Sequence, residues 1–329
     1  MQQAHGLTFW KAAVTNETQY VQVSEFIITG FSHLSNQMFL GFIILLTYFL
    51  ILLGSGTNIC IIASDRRLHT PMYILICNLA VVDIMFTTSA STTMISVLLT
   101  EVKTISYYSC ISRMYVYHVG DINGCFALLL MAIDRMVAIS NPLRYHSILT
   151  NTRTFVLIFL CWLLATATMG VLAGVVDRLP FCQPFLRYVF CDYPCMVRAA
   201  CVDPERYFLM PTVIGIALYA MFPCILLTYA KIIYTVLRLS NVSNKKQMFS
   251  TCTSHIIVVA SYYVPKFITT LLTRIGLVLD LSQRNALLIA ATLIPSLINP
   301  MVYCLRTKEI KNRLVSIVKT VSVTPLKLK

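Results

Sequence analysis

Met131-Ala-Ile-Asp-Arg-Met-Val-Ala-Ile-Ser-Asn-Pro-Leu-Arg-Tyr145 sets an acid and a base, Asp134 and Arg135, side by side where a long apolar run ends. A helix carrying that run must leave the hydrocarbon of a bilayer close to this pair. Composition agrees: the chain of 329 residues is 57% hydrophobic and only 12% charged, too apolar for a soluble domain of that length. At about 20 residues per crossing, seven stretches are long enough to span: 38–63, 71–99, 114–139, 155–176, 207–230, 248–272 and 285–305. Inside them only Asp83, Asp121, Asp134, Arg135 and Lys266 are charged. The expected fold is an all-α membrane protein, a seven-transmembrane helix bundle with a short amphipathic C-terminal helix.

Basic residues sort by side. Sixteen Lys and Arg, among them Arg66, Arg67, Arg135, Arg144, Lys245, Lys246 and Lys311, fall with four acids on one face of the spans; the other face has ten bases and nine acids. Twelve of the 13 net positive charges therefore lie on one side, which the positive-inside rule makes cytoplasmic. Seven crossings then put the N-terminus outside and the basic tail inside, as in a multi-pass plasma-membrane protein. The division expected is an extracellular segment over 1–37, the helix bundle over 38–305, and a cytoplasmic helix and tail over 306–329. The net charge of +13 reads as a topology signal, and no nucleic-acid partner is expected.

Residues 1–37 lack the basic start, apolar core and small-residue cleavage site of a signal peptide. Asn16-Glu-Thr18 is a glycosylation sequon on the side assigned to the exterior. Of 12 cysteines, Cys110 sits at the outer start of the third span, and Cys182, Cys191, Cys195 and Cys201 crowd the loop before the fifth. An oxidising compartment lets disulfides form there, but spacing does not pair them.

Several strings occur in one order along most of the chain: Glu25-Phe-Ile-Ile-Thr-Gly-Phe-Ser32, Leu68-His-Thr-Pro-Met-Tyr73, Asn78-Leu-Ala-Val-Val-Asp83, the Asp134-Arg135 segment, Lys246-Gln-Met-Phe-Ser-Thr-Cys-Thr-Ser-His255 and Pro295-Ser-Leu-Ile-Asn-Pro-Met-Val-Tyr303. Together they resemble the signatures of odorant receptors within the rhodopsin-like G-protein-coupled receptors. Met136 and Ser140 depart from the aromatic and the Cys common at those places. The resemblance implies the pairs Cys110–Cys191 and Cys182–Cys201, leaving Cys195 over. It also implies a small-molecule odorant as ligand, and coupling to a stimulatory, olfactory-type heterotrimeric G protein that raises cyclic AMP.

The inner motifs have chemistry of their own. An isolated Arg at a span's end can snorkel to the headgroups. With Asp134 beside it, the Arg135 guanidinium can be held in one state and released in another, a bistable element. Asn299-Pro300 interrupts the hydrogen bonding of the last span, and Tyr303 lies one turn further on. Asp83 is a carboxyl near the bilayer midplane and needs partners; the resemblance implies Asn58 and Asn299. Gly124 and Pro295 stand where polar groups would help a cation, so no sodium site is expected, and no metal or cofactor.

Ligand contacts are sought in the outer halves of the spans. Met114, Tyr117, His118, Asp121, Ile122 and Cys125 share one helix face by their spacing. Asp121 precedes Arg135 by 14 residues, about 21 Å along a helix. Val259, Tyr263, Lys266 and Thr270 form a matching stripe on the sixth span, and the resemblance places Tyr263 and Lys266 at the odorant cavity. Two opposite charges at that depth suggest an acid ligand received by Lys266, or an Asp121–Lys266 pair, or a lysine snorkelling outward. A receptor for another small molecule or a peptide would share the inner motifs. A proton-coupled transporter would need repeated halves and interrupted helices, which are not evident. No phosphate loop, metal-binding helix motif or nucleophile elbow points to an enzyme.

Overall fold

Inside hydrocarbon a backbone has no water to bond, so each apolar run must satisfy its own N–H and C=O groups by coiling into a helix. The structure, a computed structural model, describes residues 23–32, 34–238, 242–274, 280–306 and 308–323, without the side chains of 242–251, 269–274, 305, 306, 308 and 317–323. In chain order the elements are β1 (Glu25–Ile28), α1 (Gln37–Ser64), α2 (Pro71–Leu99), β2 (Thr104–Ser106), α3 (Tyr107–Ser140), α4 (Tyr145–Ile148), α5 (Asn151–Asp177), β3 (Phe185–Leu186), α6 (Tyr193–Ala199), α7 (Pro204–Leu237), α8 (Val242–Arg274), α9 (Leu281–Arg306) and α10 (Lys308–Val323). By length and composition α1, α2, α3, α5, α7 and α9 can cross a membrane. The 33-residue α8, whose first turn is polar, covers the remaining stretch, 248–272.

Hydropathy marks the hydrocarbon crossing, while the helix itself continues through the headgroup layer. Hence α3 starts at Tyr107, ahead of residue 114, and α7 runs to Leu237, past residue 230. Over their apolar windows α2 and α3 are mostly buried, whereas α1, α5 and α7 leave most of theirs exposed. Phe39, Phe42, Leu46 and Phe49 of α1 point outward accordingly, as a lipid-facing surface should. α3 packs against α2, α5 and α7 and forms the spine of the bundle.

One end of the bundle carries a lid. β1 lies between β2, to which it is antiparallel with Phe26 opposite Ile105, and β3, to which it is parallel with Ile27 opposite Phe185. This small sheet draws the Glu25–Ser32 string into the fold. Phe26 is fully buried, 5.9 Å from the Tyr107 ring and 5.1 Å from that of Phe181. Cys110 at the head of α3 is bonded to Cys191, with Cα atoms 5.4 Å apart, and Cys182 is bonded to Cys201, at 5.2 Å. The two bonds tie the lid to the spine and close the loop that carries α6. Asn16 lies outside the described residues.

At the opposite end α10 packs against α9 and α1. Ile310 is fully buried and Leu314 packs beside it, while Arg313 Nε donates to Asp65 Oδ2 at 2.8 Å. The other apolar positions of that face, Ile317 and Val318, have side chains outside the described ones.

Gly30 is the tightest point of the lid. Its N–H donates to the Tyr188 carbonyl at 3.2 Å, and a Cβ there would stand 2.4 Å from the Tyr188 backbone carbon and oxygen. Gly30→Ala must push two backbones apart, an overpacking cost of about 1–3 kcal/mol or more. Surface immunostaining should fall several-fold relative to the parent chain. Parental surface level would refute the close approach.

Candidate functional site

Four layers of polar side chains follow one another through the bundle from the lid to the far end. Nearest the lid, Tyr117 is held between Phe86 (centroids 4.6 Å, stacked) and Phe190 (4.7 Å, tilted), and its hydroxyl meets Thr292 Oγ1 at 3.1 Å. Each aromatic contact adds about 0.5–1.5 kcal/mol beyond the area buried. His118 turns instead to the lid: its Nε2 is 2.8 Å from Asp192 Oδ1. The same carboxylate oxygen accepts from the Tyr193 N–H at 2.8 Å, so Asp192 both caps α6 and anchors the histidine.

One turn deeper, Asp121 of α3 and Lys266 of α8 form an ion pair. Tyr262 completes it, its hydroxyl lying 2.8 Å from Asp121 Oδ1 and its ring centroid 3.7 Å from Lys266 Nζ. The lysine is thus held by a carboxylate and by the face of a ring. Both charged side chains are about one fifth exposed, at 19% and 21%. Of the alternatives open for Lys266, the structure takes the pair with Asp121; an acid ligand would have to replace that carboxylate. Ile122 and Tyr263 are buried beside it, Tyr263 with its ring against Phe222 and Phe267. Thr270 has a side chain outside the described ones. Sequence reasoning passed over Tyr262, although it stands four residues before Lys266 and so shares its face.

Gly124 explains how Tyr262 reaches α3. A Cβ at that position would lie 3.1–3.4 Å from the ring and hydroxyl of Tyr262. The glycine thus admits the tyrosine; reading it only as the loss of a polar group missed this.

In the middle of the bundle Asn299 Nδ2 donates to both oxygens of Asp83, at 3.1 and 3.0 Å. Asn58 is not part of that contact. Its Oδ1 accepts from Cys304 Sγ at 3.0 Å, so the three-residue network implied by resemblance is divided in two. Pro300 follows within α9, and Tyr303, buried, reaches Met131 Sδ at 3.8 Å.

At the far end Arg135 folds back on its neighbour, donating from Nε and a terminal nitrogen to Asp134 Oδ2 at 3.0 and 2.6 Å. Tyr145 of α4 donates to the other oxygen at 2.6 Å. Burial first, and then this bond, push the Tyr145 hydroxyl well above its ordinary value, so it stays a donor. A cavity of about 30 Å³ beside Arg135, bounded by Met131, His255 and Tyr303, has room for a water or two. His255 itself is hydrogen-bonded through Nδ1 to Tyr229. Cys195, left over from the disulfides, is buried in α6, and burial pushes its thiol up.

A membrane-embedded bundle of seven long helices, disulfide-tied at one end and carrying an Asp-Arg pair at the other, has the layout of a rhodopsin-like receptor. Residues 44–320 match the family model described as olfactory receptor. The chain is 36% identical to olfactory receptor 6N1 of Homo sapiens over 88% of its own length and 93% of that protein. It is 36% identical to olfactory receptor 6E1 of Mus musculus and 34% identical to olfactory receptor 10G4 of Homo sapiens, each over 88% of this chain and 93% of the relative. The chain belongs to the olfactory receptor family. It is therefore a multi-pass plasma-membrane receptor, with odorants as its class of ligand and G proteins as its class of partner.

The Gly124–Tyr262 contact can be tested by a double-mutant cycle. Gly124→Ala should lower the thermal midpoint of the detergent-purified receptor, at a cost of about 1–3 kcal/mol, because the ring must back away from Asp121. In a Tyr262→Ala background the same change should cost far less. Equal losses in both backgrounds would mean that the two residues do not touch.

Proposed function

We propose that the lid faces outside and the Arg135 end faces the cytoplasm, and that the receptor binds a small-molecule odorant among α3, α7, α8 and α9 and activates a stimulatory, olfactory-type G protein, raising cyclic AMP. The basic excess at the Arg135 end and the sequon at Asn16 support that orientation. The observation that carries the ligand site is the Asp121–Lys266–Tyr262 cluster, because it joins α3 to α8 in the outer half of the bundle by contacts a polar ligand can replace.

An odorant bearing an acid or hydrogen-bonding head would offer Lys266 an alternative to Asp121, while its apolar body would lie against Tyr117, Ile122 and Tyr263; His118 would serve through its hold on Asp192. It can shift the equilibrium only by binding better to the state in which α3 and α8 have parted. In that state Asp134 gives up Arg135, and the freed guanidinium meets the G protein. Asp83, Asn299, Pro300 and Tyr303 lie between the two ends, where α9 can repack, and Asn58 steadies α1 against it through Cys304.

Arg135→Ala should abolish ligand-driven cyclic AMP at an unchanged surface level, since its side chain acts at the G-protein face. A variant that signals at the parental amplitude with equal surface staining would remove Arg135 from the switch.

A further inference from the structure

At the lid end, apart from the Asp121–Lys266 cluster, a polar basin of about 460 Å³ opens between the loop after α5 and the start of α9. That volume suits a small organic molecule. Three arginines line it: Arg187, Arg198 and Arg284. They come from the strand loop, from α6 and from α9, and Tyr188 gathers two of them. The Arg198 guanidinium donates to the Tyr188 hydroxyl at 2.5 Å, and the Arg284 guanidinium lies 4.3 Å from the centre of the same ring. Arg284 also donates to the Arg187 carbonyl at 3.0 Å.

What this cluster lacks is a counter-ion. Among the described residues no carboxylate forms an ion pair with any of the three. Asp192, the acid whose charge reaches Tyr188, is committed to His118 and the Tyr193 N–H, and Asp280, four residues before Arg284, accepts from the Gln283 N–H. Tyr188 cannot serve as a phenolate, because burial pushes its hydroxyl up. Arg284 Nε, moreover, is buried without a hydrogen-bond partner among the described residues. A buried donor left unpaired is unfavourable, and three guanidiniums sharing one wall focus a positive potential into the basin.

We propose that this basin is an anion-capture vestibule that takes the carboxylate of a small dissolved organic acid, as a second ligand site beyond the Asp121–Lys266 cluster. The planar forks of Arg198 and Arg284 suit a carboxylate, with the exposed Arg187 at the rim supplying field. Gln183 and Phe185 complete the wall with an amide and a ring for the body of the acid.

Direct binding to the purified full-length receptor in phosphatidylcholine nanodiscs tests this without any signalling readout. Benzoate is compared with benzyl alcohol by ligand-observed saturation transfer, at constant chloride. Benzoate should bind at least tenfold more tightly than the alcohol. Arg198→Gln and Arg284→Gln should each weaken benzoate about tenfold or more, the range of a charge-assisted hydrogen bond, while Lys103→Gln, at an exposed base of the lid outside the basin, should leave it within twofold. Should Arg284→Gln fail to reach the discs, Arg198→Gln and Arg187→Gln, both on exposed side chains, carry the test. Benzoate binding that is absent, that ignores the arginine variants, or that is lost only in Lys266→Met would overturn the vestibule. Adding phosphatidylglycerol to the discs should not change benzoate affinity. A fall with rising anionic lipid would assign the basin to a lipid phosphate and overturn the proposal for a dissolved acid.

Discussion

The ion pair between Asp121 and Lys266 is the interaction on which the account rests. It joins the spine of the bundle to α8 in the lid half of the bundle, where water is scarce and each charge needs the other. Removing one partner of a fully buried pair costs about 3–5 kcal/mol, less where part of each side chain stays exposed, while replacing both can be almost neutral. A pair of that kind contributes little net stability. In the proposed mechanism its value lies in having two outcomes, held by Asp121 or given to a ligand.

The rest of the site follows from where α3 passes. Tyr117 is clamped by rings from α2 and the lid, so the lid end of α3 is fixed. The Cys110–Cys191 bond fixes it further. Asp134, at the other end, is shared between Arg135 and Tyr145, a hold made of hydrogen bonds that can be exchanged without breaking the fold. The lid end of α3 is thus held by a covalent bond, and its Arg135 end only by exchangeable polar contacts.

Much of this was legible in the sequence because hydropathy and short motifs are local signals. The apolar runs located the helices, and the Asp134-Arg135 and Asn299-Pro300 strings located the inner motifs. Contacts between distant residues were not legible from the residues alone, apart from those that the resemblance implied. Asp121 and Lys266 are 145 positions apart, and the stripes that hold them allowed ligand contact, mutual pairing or snorkelling alike. The strand Glu25–Ile28 has a partner on either side only because two later loops come to it. Asn58 pairs with Cys304 where resemblance suggested Asp83, since a cysteine's hydrogen-bonding capacity leaves no mark in a hydropathy pattern. The arginines of the basin are spread from 187 to 284, so nothing local announces that they meet.

The most direct measurement is basal cyclic AMP, normalised to surface level, in Asp121→Asn, Lys266→Met and the double variant. If the pair ties α3 to α8 in the silent state, each single change should lower surface level. The double variant should recover that level and show basal signalling raised several-fold above the parent chain. A double variant at parental surface level with parental basal signalling would contradict the account, because α3 and α8 would then stay together without the pair.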